Sequence, residues 1–348
     1  MGTFDRFADG PGDTLVSAVV TLVTLEDIRT AQRRLAGVAT RTPVLRAPWA
    51  DGDGRALALK PENLQPIGAF KIRGAYNAIA ARCERERPRM VVTHSSGNHA
   101  RGVAYAARAF DIPATIVMPD TTPAVKIDAT RALGAEVELV DPGDRVTRAE
   151  RLVAENGATL IPPYDDPLVI AGQGTVGAEI LDDLPEVDVV IAPISGGGLI
   201  SGIATAVKAI RPEARVIGAE PELAADARES LRAGERREWP VERVQRTIAD
   251  ALRTTSVGEL PWEHIKARVD DIVAVTDDEL RVAMRALALR SGLVAEPGGA
   301  AALAAYVVHA GELPPGRRCV AVVSGGNVDP ALFAEVLADT GEPMLSGD

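Results

Sequence analysis

The apolar residues of this chain change spacing in a regular alternation, with short apolar runs giving way to stretches in which they recur every third or fourth position. The runs mark strands and the wider spacing marks amphipathic helices. From Met90 the pattern predicts strand 90–93, helix 98–109, strand 114–118, helix 123–133, strand 136–140, helix 144–156 and strand 158–161. After Pro162-Pro163 a second block predicts helix 174–183, strand 187–192, helix 200–210, strand 215–219, helix 223–233, strand 272–275, helices 277–291 and 298–308, strand 318–323 and helix 331–338. Ahead of both, Thr24-Leu25-Glu26-Asp27 has the form of a capping box for a helix over 25–36, residues 56–60 read as a strand, and 74–81 as the helix that follows it.

Repeated βαβ units call for parallel, twisted sheets with helices on both faces. The second block needs the N-terminal residues to complete its sheet. The expectation is an α/β protein of two doubly wound domains, the smaller (85–161) inserted in the larger (23–84 and 162–348), after a loosely held extension over 1–22. Ligands are expected between the two, at the carboxyl ends of strands. No internal repeat is present.

Composition narrows the function classes. A length of 348 residues suits two such units, and 46% hydrophobic with 25% charged residues is the balance of an ordinary globular chain. The net charge of -11 argues against nucleic acid or an anionic membrane as partner, and the sign-mixed runs 82–89 and 228–246 read as solvated surface. A small-molecule substrate fits better. Cys83 and Cys319 lie far apart with no metal-type spacing, so a reducing cytoplasm is the default. The apolar run 15–25 is too short to span a bilayer and carries Ser17, Thr21 and Thr24.

The chemistry is carried by one lysine and three loops. Lys71 follows Ile67, Ala69 and Phe70 and precedes Ile72, so its ammonium is expected to be partly desolvated, which lowers its pKa and frees the amine to attack a carbonyl. On this segment alone a snorkelling lysine explains the pattern equally well. The loops decide between the two. Thr93-His94-Ser95-Ser96-Gly97-Asn98-His99 stands between a strand and a helix, where backbone N–H groups and hydroxyls suit a carboxylate. His94 and His99 read there as structural donors. Ser195-Gly196-Gly197-Gly198-Leu199 is a phosphate cradle; Ser201 stands where a dinucleotide fingerprint has glycine, and no P-loop lysine follows. Ser324-Gly325-Gly326-Asn327 brings a small hydroxyl to a strand end, which by itself reads as a turn.

Together these parts answer pyridoxal phosphate carrying an amino acid. The motifs Lys-x-Glu-Asn-x-Gln-x-x-Gly-x-Phe-Lys-x-Arg-Gly over 60–74, Ser-Ser-Gly-Asn-His, Ala171-Gly172-Gln173-Gly174-Thr175, the glycine loop and Ser-Gly-Gly-Asn stand in one family's order. Over nearly all of 25–340 the chain resembles the serine/threonine dehydratase and serine racemase branch of fold-type II pyridoxal phosphate enzymes. The resemblance implies a tryptophan synthase β-like fold, a homodimer, and β-elimination from L-serine, L-threonine or threo-3-hydroxyaspartate to give a 2-oxo acid and ammonia. It assigns Lys71 to the covalent link with the cofactor and to proton transfer at Cα. Phe70 would pack on the ring, Asn98 bond its 3-hydroxyl, and Ser324 meet its nitrogen. Gly196, Gly197, Gly198 and Leu199 would hold the phosphate; Ser95, Ser96, Gly97, Asn98 and His99 would hold the substrate carboxylate.

Two positions bear on the subgroup. Ser96 matches the serine that serine racemases use as acid and base on the face opposite the lysine, and racemisation needs both faces served. Ala69 departs from the common Gly-Ser-Phe-Lys form, as in some microbial serine racemase and threo-3-hydroxyaspartate dehydratase relatives. A racemase with secondary elimination is therefore the alternative enzyme, and a non-catalytic cofactor- or amino-acid-binding protein the alternative from another class. Glu220, Ala224 (through its carbonyl) and Asp226 resemble the subgroup's divalent-metal site, oxygen ligands that suit Mg²⁺, Ca²⁺ or Mn²⁺; a turn with acidic capping explains them equally in structural terms. Arg145 is a candidate for a second substrate carboxylate, or an exposed loop arginine. With nothing after residue 348, the isoleucine-binding regulatory domain of some threonine dehydratases is not expected.

Overall fold

The computed structural model describes residues 20–52 and 54–339, so most of the expected N-terminal extension, and residues 340–348, lie outside the described residues. The strands are β1 (Leu45–Arg46), β2 (Ala56–Pro61), β3 (Val91–His94), β4 (Ala114–Pro119), β5 (Glu136–Val140), β6 (Thr159–Leu160), β7 (Val189–Pro193), β8 (Arg215–Pro221), β9 (Asp271–Val275) and β10 (Arg318–Val323). The helices are α1 (Leu25–Leu35), α2 (Lys71–Arg85), α3 (Asn98–Ala109), α4 (Ala124–Arg131), α5 (Arg145–Asn156), α6 (Pro167–Asp183), α7 (Gly198–Ile210), α8 (Asp226–Ala233), α9 (Val241–Val244), α10 (Glu259–Arg268), α11 (Asp277–Ser291), α12 (Pro297–Val308) and α13 (Pro330–Ala338).

They build two sheets. One runs β1-β2-β10-β7-β8-β9, parallel except for the short edge pair β1–β2; the other runs β5-β4-β3-β6 and is wholly parallel. The four-stranded sheet is drawn from residues that fall between β2 and β7 of the larger one. Parallel strands buried on both faces need continuous apolar sequence, which β7 (Val-Val-Ile-Ala-Pro, all buried) supplies. On one face of the large sheet Leu280, Met284 and Leu287 of α11 pack with Leu303 and Tyr306 of α12; on the other, Ile200 and Ile203 of α7 pack with Ile265 of α10. Full burial of each such side chain is worth about 1.5–3 kcal/mol. No helix among the described residues is long and apolar enough to cross a membrane.

The helix starts depart from the expectations in an informative way. α1 begins where its capping box predicts, with Thr24 answering Asp27, and α11 begins at the expected 277, where Thr276 answers Glu279 in a second capping box. α6 begins at Pro167, well ahead of the expected 174, with Asp166 accepting from the N–H groups of Leu168 and Val169. From Val169 to Leu181 it is buried all round, so no amphipathic period marks that stretch. α2 runs from Lys71 to Arg85, which makes the lysine the first residue of a helix. The edge strand β1 and helices α9 and α10 were not expected at all.

Candidate active site

Lys71 is placed by backbone pairing between two loops. The Phe70 N–H donates to the Ser324 carbonyl at 3.0 Å, Ala69 bridges Gly325, and Gly326 N–H donates to the Gly68 carbonyl at 2.9 Å. The lysine segment and the Ser-Gly-Gly-Asn loop are thus one surface, with Ser324 buried at the end of β10 beside Phe70. Lys71 Nζ donates to the Pro163 carbonyl at 2.6 Å and lies 5.1 Å from the centre of the Phe70 ring. Burial without a carboxylate partner lowers its pKa to about 8. A Cβ on Gly102 would meet the Lys71 carbonyl at 3.1 Å, so α2 and α3 touch closely at the lysine, and this brings the turn that opens α3 alongside it.

Two residues beyond the lysine, the side chain of Arg73 enters a closed ionic network. It donates to Glu62 from Nε at 2.7 Å and Nη2 at 2.9 Å, to Glu179 from Nη1 at 2.6 Å and Nη2 at 2.9 Å, and to Thr175 Oγ1 at 2.9 Å. Lys60 Nζ donates to Glu179 at 2.6 Å, and Thr42 and Gln65 donate to Glu62. Burial opposes the charge of Glu62, yet Arg73 holds its carboxyl below the usual range. Two cations and two carboxylates, all buried, balance one another. On the adjoining face of α2, Gln173 Oε1 accepts from Gly74 N–H at 3.1 Å, and a Cβ on Gly172 would come within 2.5 Å of the Arg73 carbonyl. The unassigned residues of two motifs, 60–74 and 171–175, thus join β2, α2 and α6 around the lysine.

The turn Ser95–Asn98 is half-buried at the start of α3, which no side chain caps, so its first N–H groups are left for a ligand. His99 is different. Its ring is buried, Nε2 lies 2.9 Å from the Ile161 carbonyl, and burial followed by the Lys71 charge pushes its pKa down to about 3. Its N–H stands in the first turn of α3, and its Nδ1 is buried without a partner. The Asn98 amide lies between Glu296 and Asn327.

The glycine loop opens α7. Gly197 has φ +89° at the start of α7, a conformation that disfavours a side chain, and a Cβ on Gly196 would meet the Tyr164 ring at 2.1 Å. Tyr164 follows the proline carbonyl that receives Lys71, so one short segment touches both the lysine and the glycine loop. Ser195 Oγ lies 3.1 Å from Thr254 Oγ1 at its edge, and Leu199 is buried. Farther off, at the end of β8, Glu220 accepts from the N–H groups of Ala227 and Arg228 at 3.2 and 2.9 Å. Burial and then Asp226 push the Glu220 carboxyl well above its usual range; burial raises Asp226 to about 7, and its Oδ2 has no partner. Ala224 is buried beside them.

Sequence reasoning missed Glu296, Tyr164 and Asn327 as parts of the site. Asn327 stood in the quoted Ser-Gly-Gly-Asn motif, but Glu296 and Tyr164 carried no signal beyond a position before proline and one after it. Arg145, exposed at the start of α5, reaches the cleft electrostatically. Burial first, then Arg145, lowers the pKa of His94; burial raises that of Tyr164, which Arg145 opposes.

Comparison with known proteins identifies the family. The family described as pyridoxal-phosphate dependent enzyme matches residues 35–325. An L-threonine ammonia-lyase of Thermotoga maritima is 44% identical over 321 residues, 91% of this chain and 78% of that protein. An L-threo-3-hydroxyaspartate ammonia-lyase of Saccharomyces cerevisiae is 38% identical over 320 residues, 90% of this chain and 96% of that one. The solved structure of maize serine racemase has a TM-score of 0.86 at 40% identity, covering 90% of this chain and 97% of that one. The chain belongs to the pyridoxal-phosphate dependent enzymes and has their fold-type II, tryptophan synthase β-like architecture.

Proposed function

We infer that the protein is a pyridoxal phosphate-dependent ammonia-lyase that removes the β-hydroxyl of L-serine, L-threonine or threo-3-hydroxyaspartate and releases a 2-oxo acid and ammonia. The observation that carries this reading is Lys71, a desolvated amine of pKa about 8 placed between the carboxylate turn and the glycine loop. The residues present fit the cofactor. A buried amine with no carboxylate partner is available for the carbonyl, and the loop at Gly196 and Gly197 is closed to side chains and keeps its N–H groups for a phosphate.

When bound, pyridoxal phosphate supplies the sink for the electron pair left at Cα. Gly196, Gly197, Gly198 and Leu199 hold its phosphate, Phe70 packs on the ring, and Asn98 donates to the 3-oxygen. Ser95, Ser96, Gly97 and Asn98 hold the substrate carboxylate at the positive end of α3. Lys71 Nζ takes the Cα proton and passes it to the β-hydroxyl, which leaves as water. The released enamine hydrolyses to the 2-oxo acid and ammonia. Ser324 would meet the ring nitrogen with a neutral hydroxyl, which would not favour its protonation, would moderate the sink and would suit early loss of the β-hydroxyl over transamination.

A second reading, an amino-acid racemase with secondary elimination, is favoured by Ser96, half-buried on the turn where a second acid and base is needed, and by the racemases among the relatives. Within the first reading, the charge of Arg145 near His94 and Tyr164 favours a substrate with a second carboxylate. Glu220, raised by burial and then by Asp226, and Asp226, raised by burial with one oxygen unpartnered, fit a divalent cation such as Mg²⁺, with the Ala224 carbonyl as a further donor. A homodimer in a reducing cytoplasm completes the reading, in keeping with two free cysteines. Assaying a panel of β-hydroxy amino acids for 2-oxo acid and ammonia tests it: cofactor-loaded protein that turns over none of them is a binding protein, not a lyase.

A further inference from the structure

Glu296 sits at the N-cap of α12, where a short polar side chain usually turns back onto the helix amides. It does not. Its carboxyl is buried and accepts instead from Asn98 Nδ2 at 2.6 Å, at the start of α3. The space it fills is reserved, because a Cβ on Gly325 would lie 2.3 Å from Glu296 Oε1 and 3.2 Å from Asn98 Nδ2. Gly325 also supplies the carbonyl that receives the Glu296 N–H at 3.1 Å.

The other side of the Asn98 amide is equally occupied. Asn327 Nδ2 donates to Asn98 Oδ1 at 2.6 Å and to the Ile67 carbonyl at 2.9 Å, while Arg101 donates to Asn327 Oδ1. An arginine only donates and a backbone carbonyl only accepts, so the orientation of Asn327 is dictated from outside. That of Asn98 follows: its oxygen is taken by Asn327 and one of its two amide hydrogens by Glu296. One hydrogen remains.

We propose that Glu296 is a positioning residue for the cofactor: with Asn327 and Arg101 it fixes the Asn98 amide so that a single N–H is left to donate to the 3-oxygen of the ring. This rests on the reading that the site holds pyridoxal phosphate. A donor held in one orientation steadies the ionised form of that oxygen, whereas an amide free to turn would offer it a lone pair half of the time. The charged groups facing Glu296 are Asp250 and its ion-pair partner Lys126, and Arg101. Burial first, then Asp250, raises the Glu296 carboxyl to about 7, so the hold on Asn98 is sensitive to its surroundings.

The test is a double-mutant cycle on the holoenzyme, with Glu296→Leu, Asn98→Ala and the pair. Two quantities are read: the pH midpoint of the cofactor's absorbance band, and the rate at which cofactor leaves on dilution. Glu296→Leu alone is expected to shift the midpoint and to speed release about tenfold. In the Asn98→Ala background it is expected to add less than about twofold, because its effect passes through Asn98. Equal factors in both backgrounds, or no change in the first, overturn the proposal, since a merely structural or direct charge effect does not need Asn98. Asn327→Ala, at the other end of the relay, enters the same cycle and decides the matter should Glu296→Leu not fold. Wild-type protein that takes up no cofactor overturns the parent reading, and the proposal with it.

Discussion

Replacing Arg73 by methionine removes one member of the closed network under the lysine while keeping much of the side-chain volume. Glu62 and Glu179 are then left with Lys60 as their one cation, a net buried negative charge where the native site is neutral. Breaking a buried pair from one side costs about 3–5 kcal/mol, a large part of a total stability of about 5–15 kcal/mol. Removing both charges, Arg73→Met with Glu62→Met, leaves the Lys60–Glu179 pair intact and is expected to restore roughly half of the loss or more. The pH dependence has a definite sign. In the wild type the Glu62 carboxyl is depressed by Arg73, so its contribution is present above the ordinary carboxylate pKa and is lost as pH falls through the folded value. Without Arg73 the same carboxyl is raised by burial, so it destabilises as pH rises through its new value. The deficit of Arg73→Met relative to wild type is therefore larger at pH 8 than at pH 5. Urea unfolding at the two pH values, followed by far-ultraviolet circular dichroism, measures it. A deficit under about 1 kcal/mol, or one that does not change with pH, refutes the reasoning.

Three further outcomes are expected. Ser96→Ala abolishes interconversion of serine enantiomers and spares elimination from the L-form; racemisation that persists removes Ser96 from the second face. Arg145→Met raises KM for threo-3-hydroxyaspartate about tenfold and leaves that for L-serine nearly unchanged, and equal effects on both substrates dismiss a role for Arg145 in specificity. EDTA lowers the melting temperature and added Mg²⁺ restores it; a Tm unmoved in both directions rules out a cation at Glu220 and Asp226.

Much of this fold was legible because α/β alternation writes itself in apolar spacing. Strand β10 matches its expected span, helix α5 does so within one residue, and the capping residue Thr24 marks α1. The start of α6 was not legible, since its buried turns present apolar residues and glycines on every side and leave no period to read. Helix α10 was missed for a related reason: its apolar residues face α7 in a stretch rich in charge and interrupted by Pro261. At the site, the family motifs named the residues that meet the ligand, but not those that hold them. Glu296 looks in sequence like an ordinary residue before proline, and only the fold brings it across to Asn98. His99 shows the converse, a motif residue whose ring is buried and engaged by the Ile161 carbonyl.

The central claim is that Lys71 performs the proton transfer at Cα, and it is tested by comparing wild type with Lys71→Ala after confirming an unchanged circular dichroism spectrum and added pyridoxal phosphate in both. With L-serine, L-threonine and threo-3-hydroxyaspartate as substrates, release of 2-oxo acid is expected to fall by at least about a thousandfold in the variant. Turnover by Lys71→Ala within tenfold of wild type would contradict the account.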